Sequence, residues 1–509
     1  MRFIVLKIKN NYDMRVIHKL RIGFLLASTL FISQGCNDIL EENPQSEISD
    51  AQFWKTEADA QAGVAGIYDA LQSAYSRKYF VWGEFRSDNF KASPAGENPE
   101  ALQLTTNNLN DQSRNYGGWG DTYNALLRAN LAINNIPNIS GDVNGLLGQA
   151  HAIRAFIYFD LVRVFGDVPL YLDVITGVND DIYRSKVSGE EIMNNVIIPD
   201  MKKAEELILT PRDKGRFSLS SVYSLQAEVY MHLKEYALAK QALDKLEQMR
   251  QFALVNTAED FHALFRNEPE RSGLPSNQME TGPELIFSIV LNIEEDQGAG
   301  GIYSLFWAGV PPFFISDHLE NKWIETFPTD SVSWHAKYPD YTPKTVDENT
   351  GQTIYGDYFR YLQLAESVKD LGERRYGKYN LTNYSGNEDD TDVVVYRYAG
   401  MLLLKAEAEM QLGNKEEAVR LVNRVRQARD LPGIKLEDYP TTDDLHNAIL
   451  DERQFELLAE GKRWWDLIRT DKAVEVMGPI NGQGEDRLLF PIYFQHLVDN
   501  PKLTQTPGY

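Results

Sequence analysis

One cysteine in 509 residues, Cys36, is the scarcest side chain of this sequence. A lone thiol cannot close a disulfide within its own chain, which excludes a disulfide-stapled scaffold. Positive charge is also short: 51 Lys and Arg stand against 74 Asp and Glu, a formal charge of −23. Such a balance repels phosphate backbones and anionic surfaces and argues against nucleic acid as a partner. A neutral or cationic ligand suits it better. The eight histidines lack the paired spacing of metal ligands, and the run from Asn387 to Asp392 lacks the glycine of a calcium loop, so no metal is expected. Neither a phosphate-cradling glycine motif nor a nucleophile elbow is present, and no cofactor is implied.

No apolar run reaches the roughly 20 residues needed to cross a bilayer. The longest early run, Ile22 to Ile32, follows Arg15, His18, Lys19 and Arg21 and leads through Ser33-Gln34-Gly35 to Cys36. Basic segment, short apolar run, small residues and then cysteine is the layout of a bacterial lipoprotein leader. Residues 1–35 are therefore expected to be a signal peptide and Cys36 an acylated anchor, several acyl chains giving durable membrane attachment where one would not. The leader carries six Lys or Arg and one Asp, so its removal leaves 45 basic against 73 acidic residues, a charge of −28. The polar, acidic stretch from Asn37 to Gln45 reads as a tether.

Beyond the tether the pattern is helical. Ser49-Asp50 is placed to cap a first helix, with helical spacing through Ala58 to Tyr75, Trp119 to Ile136, and Leu146 to Phe165 before the stop Gly166-Asp167-Val168-Pro169. Tyr79 to Asn115 reads as loop. From Ser218 to Met249, Ala227, Tyr230, Ala239 and Leu243 have the intervals of a tetratricopeptide repeat. Tyr398 to Arg429 repeats the 12-residue alanine spacing at Ala406 and Ala418, with Glu409 in place of an aromatic, and Ala155 and Tyr158 suggest a degenerate copy. Small alanines let paired helices approach closely, so these segments read as scaffold. Between the repeats, 268–392 is rich in Gly, Pro, Asn and aromatics, with a strand expected at Leu285 to Leu291; so long an irregular stretch predicts a ligand-facing insertion. The expected division is a leader (1–35), an amino-terminal region (36–267) and a carboxy-terminal region (268–509) containing the insertion and repeat helices over 393–470, all in one intertwined unit.

The stretch Asp451 to Arg469, DERQFELLAEGKRWWDLIR, strings carboxylates, arginines and tryptophans along one expected helix. Helical counting puts Ile449, Leu450, Leu457, Trp464 and Ile468 on one face, with Arg453 and Glu460 inside it. A charged pair in an apolar seam persists only if its partners satisfy each other, which predicts a buried Arg453–Glu460 clasp. Gly461 is the position that could break this phase.

The site at Cys36, HAIRAFIYFDLVRVFGDVPL (151–170), the repeat from Ser218, RYAGMLLLKAEAEMQLG (397–413), the 451–469 stretch and the closing NPKLTQTPGY together resemble the SusD/RagB family of outer-membrane lipoproteins. The chain departs from that pattern at Ala459, where an aromatic is common, at Tyr493, where a second proline is common, and after Asp330, where a basic residue is missing. The resemblance implies a mainly α SusD-like fold built on repeat helix pairs. It implies a non-catalytic, cell-surface binding lipoprotein that passes oligosaccharides to a SusC-like TonB-dependent transporter; some relatives of the RagB type take peptides instead.

Sugar recognition stacks aromatic faces on pyranose rings and bonds the hydroxyls with carboxylates, amides and Arg. Two expected loop clusters offer these groups: Tyr79, Trp82, Arg86, Asp88 and Asn89 in one, Tyr303, Phe306, Trp307, Trp323 and Trp334 in the other. Trp82 and Trp307 are the strongest candidates, whereas Trp54, Trp119, Trp464 and Trp465 sit beside apolar neighbours and read as core. A glycoside hydrolase would need two carboxylates flanking the scissile bond. Glu452, Glu456 and Glu460 have helical spacing for that, but their neighbours are scaffold residues.

Overall fold

The structure is a computed structural model that describes residues 53–95, 98–174, 182–265, 283–291, 301–307, 309–380, 384–385, 388–389 and 391–509. Residues 1–54 and Lys55–Tyr509 are separate units, and the fold described is that of the second. Cys36 and the Ser49-Asp50 pair lie outside the described residues.

Helix α1 (Glu57–Tyr75) starts at Thr56, whose hydroxyl accepts from Asp59 N while the Asp59 carboxylate takes the Thr56 N–H. This reciprocal cap contributes about 1 kcal/mol. Helix α2 (Lys78–Gly83) replaces the expected loop because Tyr79, Phe80, Val81 and Trp82 are apolar on every side and all bury. The chain continues through β1 (Phe90–Ala92), α3 (Pro99–Thr105), α4 (Gly120–Asn135) and α5 (Asn144–Phe165), which stops at Gly166 with φ +73° as its sequence predicts. Helix α6 (Ile198–Leu207) packs on α5, and α4 packs on both α1 and α5.

The alanine-spaced segments form two helix pairs, α7 (Leu219–His232) with α8 (Tyr236–Gln248), and, after the insertion, Tyr398–Gln411 with Lys415–Ala428. Ala227, Ala239, Ala406 and Ala418 are fully buried, which gives the close approach their size permits. Glu409, at the expected aromatic position, is buried too, and Lys240 stands 3.4 Å from its carboxylate.

The region expected to be irregular carries β2 (Leu285–Ile289), α9 (Ile302–Phe306), β3 (Phe313–Ile315), α10 (Asp317–Thr326), α11 (Ser331–Lys337), β4 (Ala365–Val368) and β5 (Glu373–Tyr376). Short helices opened by side-chain caps, Ser316 for α10 and Asp330 for α11, look like polar loop in sequence because each spans at most three turns. Next come β6 (Val393–Arg397) and the second helix pair, α12 (Tyr398–Gln411) and α13 (Lys415–Ala428). Among the described residues sheet is confined to two-stranded ribbons, including β1 with β3, β2 with β6 and β4 with β5, all antiparallel. Helices α14 (Thr442–Glu456) and α15 (Arg463–Arg469), a further helical segment over Ala473–Asn481, and α16 (Phe494–Asp499) follow.

Candidate functional site

The 451–469 stretch is two helices, not one. Helix α14 ends at Glu456, and Ala459 (φ +63°) and Gly461 (φ +66°) turn the chain before α15 begins at Arg463. That reversal removes the helical phase linking Arg453 to Glu460. Both are buried, at 3% and 2% exposure, but Arg453 forks onto Asp466, Nε to Oδ2 and Nη2 to Oδ1 at 2.9 Å each. Glu460 instead takes Lys378 Nζ and Arg397 Nε at 2.7 Å. The turn is held from the other side by Glu84, whose carboxylate accepts from Ala459 N (3.0 Å), Gly461 N (2.8 Å) and Asn89 Nδ2 (2.6 Å). Gly83 lies so close that an added Cβ would sit 2.0 Å from the Gly461 carbonyl oxygen.

The three carboxylates with helical spacing, Glu452, Glu456 and Glu460, are committed to this clasp. Glu456 contacts Arg360, Arg397 and Arg429, and Glu452 contacts Arg360 and Arg426, all buried. Burial pushes the Glu456 carboxyl up, but the guanidiniums of Arg429, Arg397 and Arg360 outweigh it and hold it well below its ordinary value. Glu460 is lowered in the same way, burial being outweighed by Arg397 and Lys378. Carboxylates so held carry no proton to donate at neutral pH.

Of the ten residues named from sequence for the two clusters, the structure buries eight, Phe306 among them. Tyr79 and Trp82 face the core from α2, with Trp82 Nε1 donating to the Tyr116 carbonyl at 2.9 Å. Arg86 lies between the Trp464 and Phe490 rings and donates to the carbonyls of Leu488 and Leu489, pinning the carboxy-terminal segment. Asp88 is clasped by Arg463 at 2.8 and 3.0 Å, and Gln454 donates to both Asp88 and Asn89. Trp323 donates to Asp357 at 3.0 Å and Trp334 to the Tyr341 carbonyl at 2.9 Å. In this conformation none of these side chains offers a face to a ligand. Tyr79 to Trp82 is an unbroken apolar block, the mark of a segment buried all round, but Leu305 to Ala308 is another in the sequence, so apolar run length does not separate the buried rings from Trp307.

Tyr303 and Trp307 are the two that reach the surface, each half-buried, at either end of one helical turn closed by a 2.9 Å bond from Trp307 N to Tyr303 O. Among the described tryptophans of Lys55–Tyr509, Trp307 alone is not buried. Arg375 of β5 lies over its indole at 4.0 Å and donates to its carbonyl at 2.8 Å, while Gly377 is so close that a Cβ there would stand 2.6 Å from the ring. Arg375 and Gly377 are two apart, hence on one side of the extended chain, and they fix the ring without enclosing it. Nothing in the sequence pattern marked these two. Elsewhere, Asn98 opens an amide-rich hollow of about 440 Å³ shared with Gln103, Asn110, Gln112 and Asn115.

Two family models match the chain: the SusD family over residues 325–509, and one described as starch-binding associating with outer membrane over residues 38–231. A SusD-like protein from Formosa agariphila is 43% identical over 97% of this chain and 100% of its own length. The chain belongs to the SusD family. A second SusD-like protein from the same organism is 30% identical over 96% of this chain and 100% of its own. Among solved structures, NanU of B. fragilis superposes with a TM-score of 0.68 at 23% identity, covering 92% of this chain and 99% of that one. A laminarin-binding SusD-like protein does so with 0.64 at 20% identity, over 90% and 100%. As in those SusD structures, the present fold is mainly helical. The SusD match from residue 325 includes the whole α14–α15 clasp, whereas Tyr303 and Trp307 fall in 232–324, between the two matched ranges.

Proposed function

We propose that this SusD-family protein captures oligosaccharides at the cell surface, with Trp307 as the stacking platform, Tyr303 beside it and Arg375 as hydroxyl donor. The observation that carries the reading is that the one described tryptophan of Lys55–Tyr509 left partly open lies outside both family-matched ranges. An aromatic face packs on the C–H face of a pyranose, and the guanidinium lying over the indole supplies directional hydrogen bonds. The amide-rich hollow around Asn98 adds donors and acceptors of the kind sugars use.

The family's description and the laminarin-binding relative favour a glucan ligand. The captured oligosaccharide passes to a SusC-like TonB-dependent transporter, and acylation at Cys36 holds the protein on the outer membrane. The test is calorimetry with laminarin and starch oligosaccharides. Trp307→Ala is expected to weaken the bound glycan at least about tenfold, the range of a lost aromatic stacking face, and unchanged affinity removes the residue from the site. For the anchor, Cys36→Ser is expected to move the protein from the detergent-requiring membrane fraction to the soluble one; retention in the membrane rejects acylation there.

A further inference from the structure

A cleft of about 450 Å³ opens between the first half of α4, the segment around Pro169 to Asp173, Ile182-Tyr183 and α16. Its wall is a herringbone of rings. Trp119 meets Tyr123 at 5.7 Å and 68°, and Tyr123 meets Tyr171 at 5.7 Å and 84°. His496 lies flat on Trp119 at 5.2 Å, and its Nε2 accepts the Trp119 N–H at 3.1 Å, which fixes a neutral imidazole with its proton on Nδ1. Leu126, Leu127 and Leu503 add aliphatic surface, and Tyr183 stands at the mouth, 41% exposed.

The polar groups are one-sided. Among the described residues no Lys or Arg lines the cleft, whereas Asp173 and Asp499 stand exposed at its rim. Just outside, Arg184 lies over the Tyr171 ring at 4.8 Å and pairs with Asp173 at 2.9 Å, so ring and carboxylate already hold one guanidinium here. Asp499 accepts from Gln495 Nε2 at 2.8 Å and has no cationic partner among the described residues. It closes α16, the helix end at which the macrodipole disfavours an anion.

We infer that this cleft binds an organic cation, an ammonium or guanidinium on an apolar stem, with the stem against Leu126, Leu127 and Leu503 and the charge between the tyrosine rings and Asp499. Ring faces attract cations through their quadrupole, more strongly where water is excluded, and the acidic chain draws cations towards the mouth. The site shares no residue with the Trp307 turn, so it stands or falls independently of the glycan reading.

The test is calorimetry on the full chain with phenethylammonium and its neutral counterpart phenethyl alcohol. The ammonium is expected to bind saturably and at least about threefold more tightly than the alcohol, and Asp499→Asn and Tyr183→Ala are each expected to weaken it about three- to tenfold. Both side chains are exposed, so the variants should melt with the parent, while a cation–π and carboxylate loss appears only in binding. A capped Ala-Lys-Ala peptide titrated alongside identifies the source: tighter than the free amine, it assigns the cleft to a lysyl side chain of a polypeptide, and weaker, to a small amine. Equal affinity for alcohol and ammonium, no saturable ammonium binding, or full affinity in both variants overturns the inference.

Discussion

Arg453 grips Asp466 across the turn that separates α14 from α15, two N–H donors to two oxygens at 2.9 Å, with both residues all but sealed from water. The pair spans 13 residues of sequence, and it fixes the angle at which α15 leaves α14. Asp466 also receives Arg469 at 2.7 Å, so it is over-supplied with positive charge. Burial raises its carboxyl, and Arg453 and Arg469 outweigh that and hold it below its ordinary value.

Removing one partner of a buried pair leaves a charge without its counterpart, which costs on the order of 3–5 kcal/mol. Arg453→Met is expected to destabilise by about that amount in urea titration. In double-mutant cycles Arg453 with Asp466→Asn should show a coupling of about 1 kcal/mol or more, and Arg453 with Glu460→Gln a clearly smaller one. Equal couplings would mean that the two helices share the phase counted from sequence.

Trp82 and Trp307 should separate stability from binding. Trp82 is 1% exposed and packs against Tyr75 and Phe165, so Trp82→Ala is expected to cost about 3–5 kcal/mol and to leave the glycan affinity of the folded protein unchanged. Trp307→Ala should do the reverse, changing stability by about 1 kcal/mol or less while binding falls. Denaturation and calorimetry on the same preparations check both; loss of binding in a folded Trp82 variant would return that residue to the site.

Glu84 should give the fold an unusual pH dependence. Burial pushes its carboxyl up to about 7 despite the three N–H donors from Asn89, Ala459 and Gly461. An acid raised in the folded state keeps its proton where the unfolded chain, titrating near 4.5, has lost it. Its contribution is therefore whole below about pH 4.5 and is lost as pH rises through about 7, a change on the order of 3 kcal/mol. The carboxylates of the arginine clasp act in the opposite sense, losing stability as pH falls. The readout is the difference between the parent and Glu84→Gln in urea titrations from pH 5 to 8: the parent should fall relative to the variant, and parallel curves would show that Glu84 is ionised throughout.

Periodicity and composition determined the long helices over Ala58 to Tyr75, Trp119 to Ile136 and Leu146 to Phe165, the two alanine-spaced pairs, the stop at Gly166 and the strand at Leu285, because each is set by contacts between near neighbours in sequence. Arg453 and Glu460 were legible as buried for the same reason: a guanidinium and a carboxylate at apolar spacing must each find a partner. Which partner each takes was decided only by tertiary structure. Glu460 meets Lys378 and Arg397, and Asp88 meets Arg463, across 63 to 375 residues of chain. A left-handed turn at Ala459 and Gly461 resets the phase that local counting assumes. The same limit applies to the candidate site. The sequence placed aromatics in two irregular stretches, but whether a tryptophan faces water depends on what packs over it. For Trp82 that is Tyr75 and Phe165, and for Trp323 it is Tyr361 and Phe455. For Trp307 it is Arg375 and Gly377, which steady the ring and leave it partly open.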